Sequence, residues 1–162
     1  LDEATAAQLP MEQTDEPEAD PDEQEQEASS HGGSSDTIEG IIRTALDQLG
    51  KPYRRGSEGP NSYDCSGLVY YCLTKNGVSI GRYSAASYAK VSSWKKITKM
   101  SNLQRGDLIF FHDESSSSVS HVGICLGDGT MVDASSNKSQ IVHRSHTTSY
   151  WKSNFVCGRR IF

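Results

Sequence analysis

The chain has no positive charge in its opening stretch: no Lys or Arg precedes Arg43. Branched apolar residues are scarce there too, and residues 1–36 carry twelve of the chain's 21 acidic residues among Gln, Ser and Pro. Such a composition cannot bury enough apolar surface to offset its ordering entropy. Residues 1–36 therefore read as an acidic disordered linker or tail, extended by its own repulsion. No apolar run is long enough to span a bilayer, which argues against a transmembrane segment in this chain. There is no dense Lys/Arg run with interleaved aromatics, no zinc-finger spacing and no ribonucleoprotein motif, which argues against a nucleic-acid partner. The four cysteines, Cys65, Cys72, Cys125 and Cys157, form no CxxC pair and no metal-ligand spacing. The expectation is no metal and no cofactor. The start on Leu1 rather than Met points to a piece of a longer protein, with any signal peptide, anchor or partner domain upstream.

What remains after residue 36 is basic, with sixteen Lys and Arg against nine acidic residues, a formal charge of +7 that the overall −5 conceals. A basic domain favours an anionic partner, be it nucleic acid, a membrane surface or an acidic wall polymer, and does not choose among them. Asp36 and Glu39 make a capping box, predicting a helix from Asp36 whose apolar face is Ile38, Ile41, Ile42, Ala45, Leu46 and Leu49. Gly50 and Pro52 end it. A second helix is expected from Asp64 or Cys65 to about Asn76, burying Leu68, Val69, Cys72 and Leu73, and a short third over residues 84–92. The period then changes to that of strands at 107–111, 120–127, 130–134, 140–144 and 155–162. Helices followed by hairpin-linked strands define an α+β domain over residues 37–162, with N-terminal helices packed on an antiparallel β-sheet.

Two stretches carry the chemistry. In YDCSG (63–67) Cys65 stands at a helix N-terminus, where oriented N–H groups and the helix dipole lower a thiol's pKa and make it a nucleophile. The alternative is a small residue starting a core helix. In SHVGICLGDGTMVDAS (120–135) His121 opens a strand, and Gly123 leaves space beside it for a substrate backbone. His121 is the better base. His112 competes from the end of a strand, His31 lies in the tail, and His143 and His146, flanked by polar residues, read as surface groups. An imidazole needs a partner to fix its tautomer, and the candidate is Asp133. A two-residue turn at Asp128-Gly129 would pair Ile124 with Asp133 and point Asp133 away from His121. A three-residue loop over Gly127, Asp128 and Gly129, with Gly129 left-handed, would instead pair Gly123 with Asp133. Asp133 then becomes the diagonal neighbour of His121, about 7–8 Å away along the backbone. Gly-Asp-Gly suits the longer loop. The other three cysteines read as reduced core residues, a Cys125–Cys157 disulfide being the lesser alternative.

Taken in order, YDCSGLV, GRYS, LQRGDLIFF and SHVGICLGDGTMVDAS resemble the bacterial cell-wall cysteine peptidases of the NlpC and p-sixty group, a circularly rearranged branch of the papain-like fold. The resemblance runs from about Ile38 to Phe162. It implies a secreted, monomeric enzyme of the cell wall that hydrolyses amide bonds in peptidoglycan stem peptides, typically the γ-D-glutamyl bond to a diamino acid. By position it makes Cys65 the nucleophile, His121 the base and Asp133 the orienting residue, where many members have His. It places the Tyr53 hydroxyl near the thiolate as an oxyanion donor, Asp64 and Ser66 at the substrate amine, and Arg82 in the cleft wall facing a substrate carboxylate. RRG at 54–56 departs from the family's aromatic and two glycines. Read without the resemblance, Tyr53 is a loop-packing aromatic, Asp64 an N-cap, Ser66 a first-turn residue and Arg82 a solvated charge. A non-catalytic wall-binding module, an amidase cutting between sugar and peptide, and an acyltransferase remain as alternatives.

Overall fold

The computed structural model describes residues 31–162. Most of the acidic stretch therefore lies outside the described residues. Helix α1 spans His31–Asp47, beginning five residues ahead of the start expected at Asp36, so the Asp36–Glu39 pair sits inside the helix rather than capping it. Glu39 instead holds Arg105, at 2.7 and 2.8 Å. Ile41, Ile42 and Ala45 are buried as the helical spacing requires, but Leu49 is exposed. The helix has ended by then, and Gln48 turns inward in its place, accepting a hydrogen bond from the Tyr63 hydroxyl at 2.8 Å.

Helix α2, Cys65–Lys75, starts where Asp64, in extended conformation, accepts a hydrogen bond from the Gly67 N–H at 2.7 Å. Gly67 is required by a close approach: a Cβ there would lie 2.0 Å from the Ser57 carbonyl oxygen. The loop thus packs directly on the first turn of α2. Helix α3 is one turn, Ala85–Tyr88, capped by Ser84 and shorter than expected.

Six strands follow: β1 Lys95–Ile97, β2 Leu108–His112, β3 Val119–Cys125, β4 Thr130–Ser135, β5 Gln140–Ser145 and β6 Phe155–Arg160. They form one antiparallel sheet in the order β1-β6-β2-β3-β4-β5. Three elements had no signal in the sequence: β1, a 3-10 turn at Met100–Asn102 and helix α4, Ser149–Asn154. The buried Asp107 of RGD ties the far end together, taking two bonds of 2.9 Å from Arg160.

One sheet face presents Leu108, Phe110, Val122, Ile124, Val132 and Ala134 to the helices, building the main core with Leu68, Val69, Cys72 and Leu73. The other bears a smaller cluster of Ile109, Phe111, Cys125 and Met131, covered by Trp151, Phe155, Leu103 and Met100. All four cysteines are free and buried, so Cys125 and Cys157 form no disulfide.

Candidate active site

The β3–β4 hairpin decides whether the polar residues meet. Cys125 pairs with Met131 and Ile124 with Val132, while the Leu126 N–H donates to the Thr130 carbonyl at 2.9 Å across a loop in which Gly129 has φ +89°. This is the three-residue loop, and its register carries Asp133 to the face of His121. His121 Nε2 and Asp133 Oδ2 are 2.8 Å apart. His121 is 4% and Asp133 0% exposed. Gly123 has a different use from the one expected. A Cβ there would sit 2.9 Å from the Met131 sulfur and 3.4 Å from Asp133 Cβ, so the missing side chain makes room for neighbours within the protein.

With Nε2 turned to Asp133, His121 lies close enough to Cys65 to pull the thiol's pKa down. The β2 strand contributes by a bulge. Phe111 pairs with His121, and the register shifts before His112, a distortion that re-aims side chains beside functional sites. His112 is directed elsewhere, its Nδ1 lying 2.7 Å from the neighbouring Asp113 carbonyl. His143 is exposed, but His146 is 4% exposed rather than a surface group, and burial lowers its pKa.

The electrostatics correct a second expectation. Cys65 is 0% exposed, and burial pushes its thiol up, against the downward pull of His121 and a backbone hydrogen bond at Val122. Desolvation is the largest influence and sets the direction of the shift. Burial also opposes ionisation of Asp133, but its bonds and charge interactions with His121 and Arg144 win and hold it below the usual carboxylate range.

Asp64, Ser66 and Arg82 form a cluster of their own. Arg82 donates to Asp64 Oδ1 at 2.9 Å, Ser66 Oγ at 2.9 Å, Glu58 Oε1 at 2.8 Å and the Tyr83 carbonyl at 3.0 Å. Its guanidinium braces the first turn of α2 instead of standing open to a carboxylate. Asp64 also accepts from the Gly56 N–H at 2.8 Å, which gives the departing RRG loop an anchor, with Arg54 and Arg55 exposed beside it. Tyr53 packs partly buried against the main core and forms a bridge with Tyr63, two residues before the thiol. Arg144 and Trp151 were missed from the sequence. Arg144 lies 3.1 Å from Asp133 Oδ1 and 2.5 Å from Oδ2, and the Trp151 ring stacks on His121 at 5.7 Å.

A thiol on a helix end beside an imidazole that meets a carboxylate, on helices packed against an antiparallel sheet, is the arrangement of the papain-like fold. Comparison makes this more specific. The NlpC/P60 family pattern matches residues 50–160, and the chain belongs to that family. It is 39% identical over 112 residues to the probable endopeptidase p60 of Listeria welshimeri, covering 68% of this chain and 20% of that protein. It is 33% identical over 117 residues to the murein DD-endopeptidase MepH of Escherichia coli, covering 72% and 43%. Among solved structures, the peptidoglycan hydrolase RipB of Mycobacterium tuberculosis superposes with a TM-score of 0.65 at 28% identity, covering 81% of this chain and 67% of that one. The chain thus spans a fifth to less than half of these two curated relatives.

Proposed function

We propose that this domain is a secreted peptidoglycan endopeptidase of the cell wall that cleaves an amide bond in stem peptides, the γ-D-glutamyl bond to a diamino acid. The observation that carries the reading is the convergence of Cys65, His121 and Asp133: the imidazole and carboxylate are 2.8 Å apart, and the thiol lies close enough for His121 to lower its pKa. Because the thiol is buried, substrate entry must move part of its surround. The proton then passes from sulfur to His121 as sulfur attacks the carbonyl carbon. Asp133, ionised, steadies the imidazolium that forms. Backbone N–H groups at the start of α2, with the Tyr53 hydroxyl, face the developing oxyanion. His121 returns its proton to the departing amine, then deprotonates a water that attacks the thioester and frees the carboxylic acid and thiol. Asp64 and Ser66, braced by Arg82, form the wall nearest the substrate amine.

The excess of basic residues supports attraction to an anionic wall. On the edge ribbon Lys95 stands opposite Arg160, and Lys96 opposite Arg159. Exposed lysines also protect an edge strand from pairing, so this surface supports the wall reading without carrying it.

Mass spectrometry of products from defined muropeptides tests the proposal. Native protein is expected to release a new amine on the diamino acid, and Cys65→Ala none. Cleavage instead at a D,D cross-link, the bond class in MepH's name, would replace the proposed bond. Absence of cleavage on every stem peptide, with retention on wall material, would replace the enzyme with a binding module.

A further inference from the structure

A third charged group completes the site. Strand β5 pairs with β4 so that Asp133 faces Val142 and Met131 faces Arg144, making Arg144 the diagonal neighbour of Asp133 on the same sheet face. The carboxylate thus lies between His121 on one side and Arg144 on the other, receiving Nε at 3.1 Å on Oδ1 and Nη2 at 2.5 Å on Oδ2. Trp151 closes the arrangement. Its ring takes the guanidinium carbon at 4.7 Å and the His121 ring at 5.7 Å, and it packs on Phe111 at 4.6 Å.

We propose that Arg144 is a positioning residue for the reaction, fixing the plane of the Asp133 carboxylate and sharing its charge, so that His121 is oriented by Asp133 without being locked as an imidazolium. The inference rests on the cysteine-peptidase reading of the site. A buried carboxylate bonded to imidazole alone would stabilise the protonated ring strongly, and a base that never gives up its proton is no base. A cation on the same carboxylate offsets that attraction. It also satisfies the second oxygen, which burial would leave costly. The bidentate fork is a geometry that Lys does not reproduce. Among the described residues, the charged and titratable groups facing His121 are Cys65 from α2, Asp133 from β4 and, through Asp133, Arg144 from β5. The Phe111 ring from β2 and the Trp151 ring from α4, both uncharged, pack beside it, and the charge of Asp64 raises the Cys65 thiol pKa.

The test is the pH titration of the His121 ring by NMR in the native chain, Arg144→Met, Arg144→Gln and Arg144→Lys, which needs no substrate, beside kcat and KM on a muropeptide. Loss of the charge in the Met and Gln variants is expected to raise the His121 midpoint by about one unit and to lower kcat about tenfold or more with KM little changed. The Lys variant is expected to keep the midpoint near native while recovering only part of kcat. Should Arg144→Met not fold, Arg144→Gln, which keeps a donor for Asp133, carries the test. A folded neutral variant with the native midpoint and native pH profile would overturn the inference, whatever its melting temperature. Failure of all variants and the native protein to cleave, with the midpoint shifted as stated, would overturn the activity and the role in it, and leave only the hold of Arg144 on the Asp133–His121 pair.

Discussion

The two faces of the sheet differ in what they bury. The helix-covered face carries Leu108, Phe110, Val122, Ile124, Val132 and Ala134, whereas the opposite face has a four-residue apolar cluster that gives way along β3, β4 and β5 to His121, Asp133 and Arg144. A face packed throughout by helices has no room for charge without great desolvation cost. The other face holds polar groups that satisfy one another, buried beside a smaller apolar cluster. The fold is secured on one side of the sheet, and His121, Asp133 and Arg144 lie on the other, while Cys65 belongs to the helix-side core.

The largest effect that tests this contrast is catalytic. Replacing Cys65 or His121 by Ala is expected to lower muropeptide cleavage by about 10⁴-fold or more while the melting temperature changes little. A loss of folding equal to the loss of activity would erase the distinction between the faces. Stability should divide in the other direction. Phe110→Ala on the helix face is expected to cost about 4 kcal/mol and Met131→Ala on the other about 2 kcal/mol, read from denaturant midpoints. Equal costs would show that the smaller cluster bears as much of the fold.

This division also explains what the sequence made legible. Helix α2 and the strands of the main core were readable because their apolar periodicity is set by burial on one side, and the place of Cys65 at the start of that helix was readable with it. The His121–Asp133 pairing was readable because register follows from loop length, and Gly127-Asp128-Gly129 selects the loop. Arg144 and Trp151 were not. Arg144 sits in a strand whose alternation is weak, and Trp151 lies on a six-residue helix too short to show a period. The upward shift of the Cys65 thiol was equally hidden, since a helix start signals a lowered pKa and only the three-dimensional surround shows the burial that raises it. The early start of α1 escaped because His31 to Ser35 carry no helical signature.

Smaller effects sharpen the contrast through pH. Asp133 has its folded pKa below its unfolded value, so its stabilisation is present above about pH 3.9 and is lost as pH falls through the folded value. Asp133→Asn should flatten the acid limb of a melting-temperature profile, and an unchanged limb would show the pair contributes nothing to stability. The buried thiols of Cys72 and Cys125 have folded pKa values raised by desolvation. Their contribution is complete below about pH 8.5 and disappears as pH rises from there toward the folded values. A Cys72→Ala variant should lose stability less steeply above pH 9 than the native protein. The smallest effect expected is none: with all four cysteines free, reductant should leave the melting temperature unchanged, and a fall would reveal a disulfide.

The account turns on one contact between a helix-borne sulfur and a sheet-borne imidazole. Its most direct measurement is the pH dependence of Cys65 alkylation by a small reagent, located by peptide mass spectrometry, in the native protein and in His121→Ala. Since His121 pulls the thiol pKa down, the alkylation midpoint should rise by about one unit or more in the variant. Coincident midpoints would mean that sulfur and imidazole do not share a proton, contradicting the account.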